Sequence, residues 1–123
     1  MPWDTSTAED RKTGVIGDKN YRSFRRKFTA AADGAIAGSA PIESSGKIAA
    51  VAYLPDPTTP PDTVTFTIKD RDGLDIIPEV TFPAPDAGRI SISPPQEFVG
   101  GCDIAAAGNT VPGAEGTFIV YVE

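Results

Sequence analysis

The stretch from Thr63 to Asp75, TVTFTIKDRDGLD, limits the possible folds more than any other part of the chain. Val64, Phe66 and Ile68 alternate with Thr63, Thr65, Thr67 and Lys69, so one face is apolar and the other polar. Side chains of an extended backbone point alternately to opposite sides, so this period of two describes a half-buried β-strand. The strand runs directly into Asp70-Arg71-Asp72-Gly73-Leu74-Asp75. Glycine adopts positive φ at no steric cost and aspartate tolerates it, so the Asp72-Gly73 pair marks a tight turn. The stretch therefore predicts one strand, one turn and a cluster of three carboxylates.

Other segments repeat the same grammar. YRSFRRKFTA (21–30) reads as a first strand, with Phe24, Arg26 and Phe28 on one face and Tyr21, Ser23, Arg25, Lys27 and Thr29 on the other. A short strand is expected around Ala35–Ala37. KIAAVAYL (47–54) is apolar on both faces, which suits a strand with both faces covered or a strand in the middle of a sandwich. Glu79–Phe82 and Arg89–Ser93 read as strands, the second ended by Pro94-Pro95. Cys102–Ala106 is a small-residue strand after the Gly100-Gly101 break. Thr117–Val122, apolar on both faces, is expected at a sheet centre. Glycine and proline, 12 of each, fall between these runs. With roughly six to eight short strands and a turn signal about every ten residues, the expectation is all-β: a single small antiparallel β-sandwich or jelly-roll-like barrel.

Residues 1–20 do not fit that pattern. They are polar and aperiodic apart from Trp3 and the Val15-Ile16 pair, and they read as an extended amino-terminal arm ahead of a sandwich domain at 21–123. An arm of this kind orders against a partner, and Trp3 suits an anchor in a neighbour's pocket. The net charge is −6, but it is unevenly spread. Residues 1–30 hold seven basic side chains (Arg11, Lys12, Lys19, Arg22, Arg25, Arg26, Lys27) against four acidic ones (Asp4, Glu9, Asp10, Asp18), a local excess of +3 that leaves −9 on the remainder. A basic segment on an acidic body suggests docking against another acidic surface, including a second copy, although solvated faces would look the same. Trp3, Val15, Ile16, Arg22, Arg25, Arg26 and Lys27 are the candidate partner-binding residues. The run Arg22–Lys27 has interleaved aromatics, but it is short and the chain is acidic, which argues against nucleic acid. Cationic side chains on an edge strand also block unwanted strand pairing.

Chemistry-bearing patterns are sparse. The chain has no histidine, so Ser/His/Asp and Cys/His mechanisms are excluded. The single cysteine, Cys102, can form no intrachain disulfide and reads as a small buried hydrophobe. One cysteine without histidine makes no zinc site, and no phosphate-binding glycine loop is present. Asp70, Asp72 and Asp75 resemble a calcium loop only superficially, because a strand precedes them and no glutamate closes the loop at the required spacing. A hairpin end is the better reading. No enzyme activity and no cofactor are expected. No run approaches membrane-spanning length and the amino terminus lacks a signal-peptide core, so synthesis and folding in the cytoplasm are expected unless the chain is exported as part of a larger object.

The ordered features FTAAADG, SGKIAAVAYLPDP with its proline-rich continuation, TVTFTIKDRDGLDII and the closing AAAGNTVPGAEGTFIVYVE together resemble small β-rich virion structural proteins of tailed bacteriophages. The resemblance covers about residues 24–123. It implies a non-enzymatic virion protein, foremost a capsid cement or decoration protein on the outer head surface. Its partners would be the major capsid protein and neighbouring copies of itself, as a dimer or trimer, with no nucleic acid and no membrane. The alternative within the class is a head–tail connector or tail adaptor. Outside it stands a small carbohydrate- or calcium-binding sandwich module.

Overall fold

The computed structural model describes residues 2–4, 10, 12–16, 19–83 and 87–123, with residues 12–16 and 19 described by their backbone course alone. Among these residues the chain forms ten strands and no helix. They are β1 (Trp3–Asp4), β2 (Lys12–Ile16), β3 (Lys19–Thr29), β4 (Ala40–Ile42), β5 (Gly46–Pro55), β6 (Val64–Asp70), β7 (Val80–Phe82), β8 (Gly88–Phe98), β9 (Cys102–Ala107) and β10 (Glu115–Val122). One sheet runs β1-β3-β10-β5-β8, with β2 also paired to β3, and the other runs β4-β9-β6-β7. Every pairing is antiparallel. The two sheets form an open sandwich, not a closed barrel.

The order has a simple origin. β3 pairs with β10, β4 with β9, β5 with β8 and β6 with β7. The two halves of the chain therefore pair from the outside in, like one long hairpin folded at β6–β7 and rolled into two layers. That is the strand order of a jelly roll. The ribbon bends at the end of the stretch Thr63–Asp75 and in the loop that leads from it into β7. Asp70 amide donates to the Leu74 carbonyl at 2.9 Å, and Gly73 amide to the Asp70 carbonyl at 3.1 Å. Gly73 sits at φ +82°, in the region that favours glycine.

Alternation explains how the layers meet. Val64, Phe66 and Ile68 of β6 are buried, while Thr65, Thr67 and Lys69 are not. Phe66 stacks on Phe118 of the opposite sheet with ring centroids 4.1 Å apart, and it also meets Phe28, Tyr53 and Phe82. β10 lies between β3 and β5, and β5 between β10 and β8, as their two-sided apolar character predicts. At Ala49 the register of β5 shifts against both neighbours, so Ile48 and Val51, three residues apart, are both fully buried.

Several sequence expectations are revised. Ala35–Ala37 forms no strand; pairing begins at Ala40, where the chain meets β9. Pro94-Pro95 does not end the strand that starts near Arg89. β8 is an edge strand, so missing amide donors cost no ladder bond, and the prolines lie in the stretch between Ser91 and Gln96 opposite the Ala49 shift. The amino-terminal segment does not stand free where it is described. β1 pairs with β3 at Trp3↔Phe28 and Asp4↔Lys27, and β2 pairs with β3 from Lys12↔Ser23 to Ile16↔Lys19. The long β3 offers an unpaired edge, and satisfying its backbone groups outweighs the weak strand propensity of the segment.

Candidate interface at the amino-terminal edge

β3 carries four of the candidate partner-binding cations, and its alternation divides them. Arg22 and Arg26 share a face with Phe24 and Phe28, whereas Arg25 and Lys27 lie on the opposite face. The run that looks like one basic patch in the sequence is therefore split across a sheet.

Arg26 is 1 % exposed and is the one fully buried charged side chain among the described residues. Its Nε donates to the Pro41 carbonyl on β4 at 3.0 Å. It thereby ties β3 of one sheet to β4, an edge strand of the other. Its Nη2 donates to Asp10 Oδ2 at 2.8 Å and its Nη1 donates to Asp10 Oδ1, a bidentate pair. Nη1 also reaches the Arg25 carbonyl at 2.8 Å. Guanidinium stays charged at any accessible pH, and an uncompensated charge in a low-dielectric interior costs several kcal/mol. Asp10, delivered by the amino-terminal segment, supplies the counter-charge.

Trp3 enters the same edge. Only 2 % of it is exposed, and its ring meets Phe28 edge-on at 5.5 Å between centroids. The Thr29 amide donates to the Pro2 carbonyl at 2.7 Å. Among the described residues the buried indole Nε1 finds no hydrogen-bond partner. Trp3 lies beside a shallow depression shared with Pro2, Ala37, Gly38 and Ser39. The segment thus contributes an aromatic wedge and a carboxylate, and β3 presents an aromatic ring and a buried cation to receive them.

The other candidates fall elsewhere. Arg22 Nη1 donates to Ser44 Oγ at 3.1 Å and its Nη2 to the Ser45 carbonyl at 2.9 Å, with the guanidinium 6.0 Å from the Phe24 ring centroid. Lys27 Nζ lies 3.4 Å from Glu115 Oε2 across the β3–β10 pair. Arg25 is half-buried, opposite Ile119. Val15 and Ile16 belong to β2, and their side chains lie outside the described residues. The structure therefore gathers Trp3 and Arg26 at one edge and disperses the rest. Sequence reasoning missed Asp10. A cation on the apolar face of β3 signals that a carboxylate must come to it, but nothing local selects Asp10 from 17 acidic residues.

The aspartate cluster is occupied with its own turn. Asp70 Oδ1 accepts from the Asp72 amide at 2.9 Å and the Leu74 amide at 3.0 Å. Asp75 lies 4.0 Å from Lys69 Nζ. Cys102 is fully buried, and burial, followed by the nearby Asp103 charge, pushes its thiol up to about 12. Asn109 ties three loops together: it accepts from the Asp62 amide and donates to the Gly34 and Val111 carbonyls.

No protein-family model matches the chain, and no curated protein matches it. Among solved structures it is similar to a chain described under the words "Bacillus endospore appendages form a novel family of disulfide-linked pili", at 18% identity over 97% of both chains with a TM-score of 0.40. So loose a superposition bears on neither fold nor function here.

Proposed function

We propose that this chain is a non-enzymatic structural subunit of a virion, foremost a cement or decoration protein that docks on the outer surface of a capsid. The virion class comes from the sequence resemblance. Jelly rolls serve viral capsids and lectins alike, so the strand order is compatible with that class without selecting it. The observation that carries the structural-subunit reading is the position of the buried charge. In binding and catalytic domains, perturbed or buried charged groups typically line a cleft. Here Arg26 lies at a sheet edge, where with Trp3 and Phe28 it clamps the amino-terminal segment. Among the described residues the chain commits its one fully buried charge to holding the amino-terminal segment.

In this reading the sandwich rests on the shell, and the amino-terminal edge, with copies of itself and the major capsid protein as partners, holds the lattice together. Many small contacts then sum through multivalency. The test is the copy number of the chain in purified particles, measured by quantitative mass spectrometry. Hundreds of copies support a cement protein. About five to twelve copies, as a cyclic ring would require, support the head–tail connector or tail adaptor instead. Absence from the particle contradicts both.

One observation favours a second reading as a carbohydrate-binding module. Tyr21 and Tyr121, both half-buried, meet edge-on at 6.5 Å on the face of the β3–β10 pair away from the core. Retention of the wild-type protein on a glycan array, lost in Tyr121→Ala, would support it.

A further inference from the structure

We infer that β8 is a self-pairing edge: its segment Gly88–Ser93 joins antiparallel to the same segment of a second copy of this chain, so that the larger sheets of two copies become one. The inference adds a contact at the far end of the sheet to the assembly part of the reading above, and it does not depend on which particle is built.

The two ends of the larger sheet differ. At one end β1 and β2 cover β3. At the other stands β8, 11 residues long, and among the described residues no strand pairs with its outer side. An uncovered edge offers a row of unpaired amide and carbonyl groups to any strand that can match them. Native edges are blunted by shortness, by proline or by a charge pointing inward. β4 and β7 have three residues each, and β8 carries Pro94-Pro95 in its second half. The first half, Gly88–Ser93, has none of these guards.

That half also leaves apolar surface uncovered on the core-facing side. Ile90 pairs with Val51, which is fully buried, so Ile90 and Ile92 point inward while Arg89 and Ser91 point outward beside Ala52 and Ala50. The opposite layer ends here. Its last strand, β7, sets Phe82 against Tyr53 of β5 and close to Gly88 at the start of β8. Further along β8, Ile90 is 38 % exposed and Ile92 is half-buried.

The segment is complementary to itself, which points to a second copy as the occupant. A two-fold axis through Ser91, perpendicular to the sheet, sets Ser91 opposite its own copy, Ile90 opposite Ile92 and Arg89 opposite Ser93. Apolar side chains then meet apolar ones from both copies, and the one cation of the segment faces a hydroxyl instead of its own copy. The register is also determined. A shift by one residue turns the isoleucines against the polar face. An axis at Ile92 draws Pro94 into the seam opposite Ile90, and an axis at Ile90 leaves Ser93 without a partner inside the strand. The axis at Ser91 uses the whole segment and places Pro94 at its end, opposite Gly88. The contact is isologous and closed, so it stops at a dimer. It lies at the small end of specific interfaces, so it forms at high concentration or where a lattice holds copies side by side.

The test traps this register in the full-length protein. Facing Cα atoms in an antiparallel pair lie about 4.5–5.5 Å apart, within disulfide range. Arg89, Ser91 and Ser93 are exposed, whereas the native Cys102 is fully buried. Chains are held at high concentration in a thiol–disulfide buffer and the bonds are mapped by mass spectrometry. Ser91→Cys is expected to bond to its own copy. Ser93→Cys alone is expected to form no such bond, because its two copies sit at opposite ends of the seam, but to bond to Arg89→Cys when the two are mixed. Ile90→Lys, which adds an inward-pointing charge at an exposed position, should abolish the Ser91→Cys bond and the concentration-dependent dimer that sedimentation detects in the wild type. Self-bonding of Ser93→Cys as readily as Ser91→Cys would overturn the inference, as would a wild type that stays monomeric at its highest soluble concentration. If the wild type is monomeric and Ile90→Lys abolishes its retention on particles, the edge takes a strand from a different protein and self-pairing is again overturned. The dimer is measured on the isolated protein, so this inference and the virion reading can fail separately.

Discussion

Packing at Gly116 shows how tightly single residues constrain the roll. A Cβ at this position would lie 2.8 Å from Phe28 Cζ and 2.9 Å from Tyr53 Cε1. Both rings are fully buried and wedged among aromatic neighbours, so neither can swing away. Gly116→Ala is expected to cost about 1–3 kcal/mol by overpacking, read as a lower denaturant midpoint at unchanged m-value. Cys102 gives a residue-scale pH prediction. Its thiol is held up to about 12 from an ordinary 9.0, and the Tyr53 hydroxyl, also raised by burial first and Asp62 second, up to about 12 from 10.0. In both cases the folded state holds its proton more tightly than the unfolded state. Stability is therefore full below pH 9 and falls as pH rises from there towards 12. Cys102→Ala should delay the onset of this alkaline loss to about pH 10, where Tyr53 begins to act. Superimposable alkaline melting profiles for the two proteins would contradict this.

Strands and turns were legible in the sequence wherever their signal is local. The alternation of Val64, Phe66 and Ile68 with threonines fixes which face of β6 is buried, because the pleat does so without reference to the rest of the chain. The two-sided apolar runs at 47–54 and 117–122 likewise placed β5 and β10 inside their sheet. The turn after β6 is legible for the same reason, from Asp72-Gly73, and the structure adds Asp70 as the acceptor that holds it. Asp70→Ala removes the acceptor of two backbone amides and should cost about 1 kcal/mol in chemical unfolding. It should leave the β6–β7 register intact, as judged by amide exchange protection in Thr65 and Phe66. What local signals could not supply was strand order. Most connections pass from one sheet to the other, including β3 to β4, β4 to β5 and β8 to β9, and a turn that crosses between layers uses the same glycines and prolines as one that closes a hairpin. Pro94-Pro95 misled because a proline pair ends a central strand but is tolerated at an edge, and edge status belongs to the assembled sheet.

At the scale of the whole molecule, the chain is a rolled ribbon whose open side is closed by its own amino-terminal segment. The aromatic core around Phe66 holds the layers together, and at the β3–β4 edge Arg26 spans them. This closure was half legible. The sequence placed Arg26 on the Phe24–Phe28 face but read it as part of an interface patch, and it read Trp3 as an anchor for a neighbour's pocket, whereas both are buried within the chain; the pairing of Asp10 with Arg26 joins residues 16 apart through a segment without periodicity. The charge layout fits the same closure: part of the basic excess near the amino terminus is taken up inside the fold, at Arg22 and Arg26, and does not form a free patch. The central claim is that the amino-terminal carboxylate completes the domain by neutralising a buried charge. A double-mutant cycle tests it directly, with Asp10→Asn, Arg26→Met and the double variant compared in chemical unfolding. Removing one partner of a buried pair costs about 3–5 kcal/mol, while replacing the cation with an apolar side chain of similar length removes most of the need for the carboxylate. The prediction is a loss of about 3 kcal/mol for Asp10→Asn alone and a loss within about 1 kcal/mol when the same change is made in the Arg26→Met background. Equal losses in the two backgrounds would contradict the account.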